Sequence, residues 1–128
     1  MKKKILIADD DREICDVLQI LLEPEFDITI VHRGDDAWER IQREKPELAI
    51  LDLVMPKIDG LELCSLIRGS EESRNIKILI ITATTSDKEL PDRVWQMACG
   101  ADAFISKPFD PIKVVNKVRE LDNSVKSV

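Results

Sequence analysis

The sequence has no CxxC pair, a single histidine, no basic cluster longer than three residues and no long apolar run, and each absence removes a class of function. Its three cysteines, Cys15, Cys64 and Cys99, are odd in number and widely spaced, and His32 is the only histidine. Zinc sites and disulfide frameworks need paired or clustered ligands, so buried or half-buried reduced thiols are expected instead. No stretch approaches the roughly 18 apolar residues of a membrane span, and the N-terminus lacks the apolar segment and small-residue cleavage site of a signal peptide. A cytoplasmic protein that makes no membrane contact is therefore expected. The formal net charge is −6, and the sole basic run is Lys2-Lys3-Lys4. Phosphate neutralisation requires clustered cations, so this domain is not expected to bind nucleic acid directly.

What is present fits one globular domain. The chain has 128 residues, 44% of them hydrophobic and 34% charged, enough to bury a single core without staples. Apolar runs at Ile5–Ala8, Phe26–Val31, Leu48–Asp52, Lys77–Thr82 and Ala103–Ser106 read as strands. Between and after them lie stretches of helical spacing. Ile14, Val17, Leu18, Leu21 and Leu22 mark the first, which Pro24 stops. Ala37, Trp38 and Ile41 mark the second, with Asp35 as its expected N-cap, and Leu61, Leu63, Cys64 and Ile67 mark the third. A fourth is expected to open at Pro91 and close at Gly100, and a fifth carries Ile112, Val115, Val118 and Leu121. Strands that alternate with helices imply a parallel sheet with right-handed crossovers and helices on both faces. Residues 1–121 form the expected domain. Residues 122–128 lose periodicity and read as a tail or the start of a linker.

In an open parallel sheet the residues just past each strand's C-terminal end share one edge, where such folds bind ligands. Those ends supply Asp9, Asp10 and Asp11, then His32, Asp52, Thr82 and Lys107. Carboxylates gathered at one edge repel unless some are protonated or a cation sits among them. Hard oxygen donors with room for water suit Mg2+ beside a phosphate better than zinc or a closed calcium cage. Asp11 has the offset of a helix cap, which leaves Asp9 and Asp10 as candidate metal ligands. Asp52 reads either as the cap of the following turn or as a carboxylate held for chemistry. In the second case it can attack phosphorus while Lys107 neutralises the phosphoryl oxygens. Thr82 offers a hydroxyl to the same group, or is a polar strand end turned to water. His32 reads as a polar strand-end residue.

These residues resemble the receiver domain of two-component response regulators from Lys4 to Leu121. The resemblance is carried by Asp9-Asp10, the block LDLVMPKIDG around Asp52, Thr82-Ala83, Gly100-Ala101-Asp102 and Lys107-Pro108-Phe109. It implies a doubly wound α/β fold of the flavodoxin-like, CheY-like kind, with five parallel strands in the order 2-1-3-4-5. It also implies that Asp52 is the phosphoacceptor, that Asp9, Asp10, Asp52 and the Val54 backbone carbonyl hold Mg2+, and that Lys107 pairs with the phosphoryl group. The Lys107-Pro108 bond corresponds to one that is cis in the family, and Thr82 and Phe104 correspond to its switch pair. The implied role is regulatory rather than enzymatic. A histidine kinase or histidine phosphotransfer protein would be the donor. A downstream effector protein or domain would read the face made by the fourth helix, fifth strand and fifth helix, on a monomer or a phosphorylation-dependent homodimer.

The chain departs from the family pattern in places. The stretch from Thr82 to Gly100 runs a few residues long, Ala103 stands where DNA-binding members often carry an Asp of their charged dimer interface, and Val54 and Thr84 occupy positions that tune dephosphorylation. Three other readings compete. An aspartate-nucleophile phosphohydrolase needs an acidic residue two positions after its nucleophile, where Asp52 is followed by Leu53-Val54. A flavin carrier needs a phosphate loop after the first strand, where Asp9-Asp10-Asp11 would repel phosphate. A receiver-like interaction module that is never phosphorylated needs only the fold.

Overall fold

The computed structural model describes residues 2–53, 55, 57–83 and 100–126. The elements follow one another as β1 (Lys3–Ala8), α1 (Arg12–Leu22), β2 (Phe26–Val31), α2 (Gly34–Glu44), β3 (Leu48–Asp52), α3 (Gly60–Gly69), β4 (Lys77–Ala83), β5 (Ala103–Lys107) and the C-terminal helix α4 (Pro111–Lys126). Residues 91–99 of the helix expected from Pro91 to Gly100, Trp95 and Cys99 among them, lie outside the described residues. The strands pair in parallel in the order β2-β1-β3-β4-β5.

Successive strand residues point to opposite faces, and both faces are covered, which is why the strands read as unbroken apolar runs. Ile5, Ile7, Ile50, Leu79, Ile81 and Ile105 pack on one side against Leu18 and Leu22 of α1 and Val114, Val115 and Val118 of α4. Leu6, Ala8, Ala49, Leu51, Ile78 and Ile80 pack on the other against Ala37 and Ile41 of α2 and Leu63, Cys64 and Ile67 of α3. At the sheet's N-terminal end Arg68 staples the approach to β5. It donates to the carbonyls of Gly100, Arg74 and Ile76 and meets Asp102 Oδ2 at 2.9 Å, the same oxygen that accepts from the Ile78 amide.

Several expectations need correction. Asp35 does not cap α2. Arg33 holds the N-cap position without a side-chain cap bond, and Asp35 sits in the first turn, ion-paired with Arg33 at 2.6 Å. The cause is Gly34, which is buried against the β3–α3 loop as the first helical residue and so pushes Asp35 one place inward, where its charge still complements the helix dipole. Val17 is 40% and Ile112 51% exposed, so neither belongs to the core. The inward stripe of α4 runs through Val114, Val115, Val118 and Leu121 instead, leaving Ile112 in the first turn and off the sheet. Nor does α4 break at Asp122. It continues to Lys126, and Asp122 Oδ1 lies 2.6 Å from Lys3 Nζ. β4 and β5 each extend one residue beyond the expected ends, to Ala83 and Lys107.

Candidate functional site

Strand register builds the site. Ala8 pairs with Leu51, so Asp9 emerges beside Asp52, the last residue of β3, which pairs in turn with Ile81. Asp9 is fully buried and Asp52 is buried, whereas Asp10 is exposed. One carboxylate oxygen from each of the three lies within 4.8 Å of the others. Lys107 ends β5, two strand spacings or roughly 10 Å from β3. Its long side chain nevertheless reaches across, with Nζ 3.0 Å from Asp52 Oδ2 and 3.1 Å from Asp9 Oδ2. One ammonium thus bridges two buried carboxylates.

Local structure holds each group in place. Asp11 caps α1, accepting from the Glu13 and Ile14 amides, and its own amide donates to Asp9 Oδ1 at 2.9 Å. Beyond Asp52 the chain turns sharply, with the Gly60 amide donating to the Leu53 carbonyl at 2.9 Å and Met55 buried beneath. Lys57 takes the left-handed conformation at φ 76°, and Asp59 caps α3 by accepting from the Glu62 amide at 2.8 Å. Gly60 is required there, because a Cβ on it would fall 2.4 Å from the Asp52 carbonyl oxygen. The Lys107-Pro108 bond is cis. Phe104 is half-buried on the α2/α3 face of the sheet. The Thr82 backbone pairs with Ser106, but the Thr82 side chain and all of residue 54 lie outside the described set.

The electrostatics favour a cation. Burial, together with the Asp52 charge, pushes the Asp9 carboxyl up to about 6 against a stabilising hydrogen bond from the Asp11 amide. Burial opposes the Lys107 charge, but its hydrogen bond to Asp52 and its ion pair with Asp9 outweigh that and hold its pKa above the ordinary value. Asp9 Oδ2, although near the lysine, makes no hydrogen bond among the described residues. A buried carboxylate oxygen left without a hydrogen bond, in a cluster of three carboxylates facing one ammonium, fits a hard divalent cation held by Asp9, Asp10 and Asp52.

A pH dependence follows from the raised pKa. Without metal, folding takes up a proton at Asp9, so its contribution to stability is full below about 4, the usual carboxylate range, and is lost as pH rises through about 6. At pH 7 Asp9→Asn is expected to stabilise the metal-free protein by on the order of 1–3 kcal/mol while weakening the cluster's hold on a divalent cation at least tenfold. The affinity of this cluster for a divalent cation should fall as pH drops through about 6, as protons compete for Asp9. Thermal melts and calorimetric titrations at several pH values check both; an Asp9→Asn protein less stable than wild type without metal would contradict the account.

Two residues behind Asp9 were not legible as part of the site. His32 Nδ1 lies 2.9 Å from the Asp9 carbonyl oxygen, and Cys15 Sγ lies 3.4 Å from the same atom. The strand-end rule brings His32 to the right edge, but nothing in the sequence announces a contact to backbone. Cys15 is buried, and burial with the nearby Asp9 charge pushes its thiol up to about 12, so it is an inert reduced thiol. No helix among the described residues is long and apolar enough to cross a membrane.

Comparison with known proteins agrees with this geometry. Residues 5–119 match the family described as the response regulator receiver domain. The alkaline phosphatase synthesis transcriptional regulatory protein PhoP of Bacillus subtilis (strain 168) is 37% identical over 122 residues, which cover 94% of this chain and 49% of PhoP. Response regulator GtcR of Aneurinibacillus migulanus is 37% identical over 120 residues, covering 93% of this chain and 47% of GtcR. The chain thus spans about half the length of these curated relatives. The crystal structure of a CheY-like response regulator receiver domain protein from Methanospirillum hungatei JF-1 superposes with a TM-score of 0.85 at 31% identity over the whole of both chains. A family match over nearly the full length, on a sheet in the order 2-1-3-4-5 with acidic residues and a lysine at its C-terminal edge, has one reading: this chain belongs to the response regulator receiver domains of two-component systems.

Proposed function

We propose that this chain is a phosphoacceptor switch in the cytoplasm, in which Asp52 takes a phosphoryl group from a phosphohistidine on a histidine kinase or phosphotransfer protein. The observation that carries this reading is the Lys107 ammonium, within 3.1 Å of both Asp9 and Asp52. A carboxylate oxygen of Asp52 forms the new bond to phosphorus as the donor's P–N bond breaks, and the electron pair returns to the donor imidazole. Lys107 is poised to neutralise the phosphoryl oxygens, and the turn through Gly60 holds the Asp52 backbone rigid, so the transfer rests on positioning and charge. Mg2+, held by Asp9, Asp10, Asp52 and the Val54 carbonyl, would supply further neutralisation of those oxygens.

The donor must approach from the C-terminal edge of the sheet. There a largely apolar groove of about 580 Å³ opens beside Lys107, lined by Ile14, Val17, Leu18, Pro108, Phe109 and Pro111, with Asp11 and Glu13 also on its wall. Ile20 is 68% exposed on the same helix, α1. An apolar surface next to the acceptor suits the helices of a protein donor. Once phosphorylated, Asp52 gains charge, and Thr82 and Phe104 respond as the switch pair. That biases β5 and α4, together with the fourth helix expected from the sequence, toward the state that the effector reads. The phosphorylated domain acts as a monomer or pairs as a homodimer.

Incubation with acetyl phosphate tests the reading. With Mg2+ the protein is expected to gain one phosphoryl group by intact mass, and with the metal chelated it is expected to gain none. No adduct in the presence of Mg2+, together with failure to form a beryllium fluoride complex, would overturn it.

A further inference from the structure

We propose that His32 is a positioning residue for the phosphoacceptor pocket, fixing the Asp9-Asp10 peptide through a hydrogen bond from its Nδ1 to the Asp9 carbonyl. The proposal rests on the reading of that pocket as a site for Mg2+ and a phosphoryl group. The last ladder pair between β1 and β2 is Ala8 with Val31, and the Asp9 amide still donates to the Val31 carbonyl at 3.2 Å. Past that point two side chains take over. His32 Nδ1 stands 2.9 Å and Cys15 Sγ 3.4 Å from the Asp9 carbonyl oxygen, and the two donors are 4.0 Å from each other.

A carbonyl can only accept, so the proton is on Nδ1. That holds for the neutral ring and for the imidazolium alike, so the contact does not depend on the charge of the ring. The Asp9 carbonyl and the Asp10 amide belong to one planar peptide. Holding that plane sets the direction in which the chain leaves for Asp10, while the Asp11 amide holds Asp9 Oδ1 at 2.9 Å from the other side. Two of the three clustered carboxylates therefore take their orientation from one peptide, which His32 pins from outside the pocket. Removing a group that orients ligating side chains from behind typically costs about 10–100-fold in metal affinity.

Three substitutions separate positioning from packing. An Asn amide nitrogen can occupy the place of Nδ1, whereas Gln carries its donor one bond further and Ala carries none. Mg2+ dissociation constants by calorimetry, the rate of phosphoryl gain from acetyl phosphate, and metal-free melting temperatures are measured for each. His32→Gln and His32→Ala are expected to weaken Mg2+ binding about tenfold and to slow phosphoryl gain in step, while His32→Asn stays close to wild type. Equal Mg2+ affinity in all four proteins would overturn the proposal. So would losses of affinity that follow the metal-free melting temperatures, His32→Asn included, since packing alone would then explain them. A wild-type protein that neither binds Mg2+ nor gains a phosphoryl group would instead remove the pocket reading, and the proposal with it.

Discussion

Asp52→Asn is expected to fold as the wild type does and to accept no phosphoryl group at all. The amide has nearly the shape of the carboxylate and keeps an oxygen that can accept from Lys107 Nζ, now 3.0 Å from Asp52 Oδ2. The buried strand end therefore remains satisfied. What disappears is the nucleophile, because an amide oxygen does not displace a phosphoryl group at a useful rate. One of three carboxylates whose oxygens lie within 4.8 Å of one another also loses its charge, which relieves part of the pressure on Asp9. Metal-free stability should accordingly match or exceed that of the wild type, in contrast to the complete loss of the adduct. Intact mass and a thermal melt on the same sample check both halves. A phosphoryl adduct on Asp52→Asn at the wild-type rate would mean that the acceptor lies elsewhere.

Gly34→Ala is expected to cost about 3 kcal/mol or more, a large share of the 5–15 kcal/mol typical of a domain. A Cβ at residue 34 would sit 1.7 Å from the Ile58 carbonyl oxygen and 2.5 Å from its carbonyl carbon. Both are backbone atoms of the loop that joins Asp52 to α3, so no rotamer change can relieve the clash. Either the start of α2 or that loop must move, and the loop is what shapes the edge of the pocket. Loss of stability and slower phosphoryl gain should therefore appear together. Gly69→Ala is the control. It ends α3 with nothing within 4 Å of an added Cβ, so it is expected to be neutral or to stabilise by up to about 1 kcal/mol. Urea unfolding of the two variants tests the contrast, and equal midpoints would contradict it.

The fold was legible because its strands are buried on both faces. Ile78–Ile81 cannot be a half-exposed strand, so helices had to cover two sides, and the alternation of elements did the rest. The site was legible in part by the rule that parallel strands deliver their last residues to one edge, which brings Asp9, Asp10, Asp52 and Lys107 together. What periodicity could not convey is distance between elements. That Lys107 crosses β4 to bridge two carboxylates, that His32 turns back onto the Asp9 carbonyl, and that Gly34 meets Ile58 all depend on how loops close after the strands are paired. The same limit explains Asp35. Its residue type suited an N-cap, but tertiary contact at Gly34 decided where α2 begins. Exposed Val17 and Ile112 likewise fitted a helical stripe and lie outside the core.

The central claim is that the phosphoryl group goes to Asp52, and borohydride reduction tests it most directly. An acyl phosphate on an aspartate is reduced to the alcohol, leaving homoserine at that position, and peptide sequencing by mass spectrometry locates it. After incubation with acetyl phosphate and Mg2+, homoserine is expected in place of Asp52 and at none of Asp9, Asp10 or Asp11. Homoserine at one of those three positions, or a phosphorylated protein without a reducible aspartate, would contradict the account.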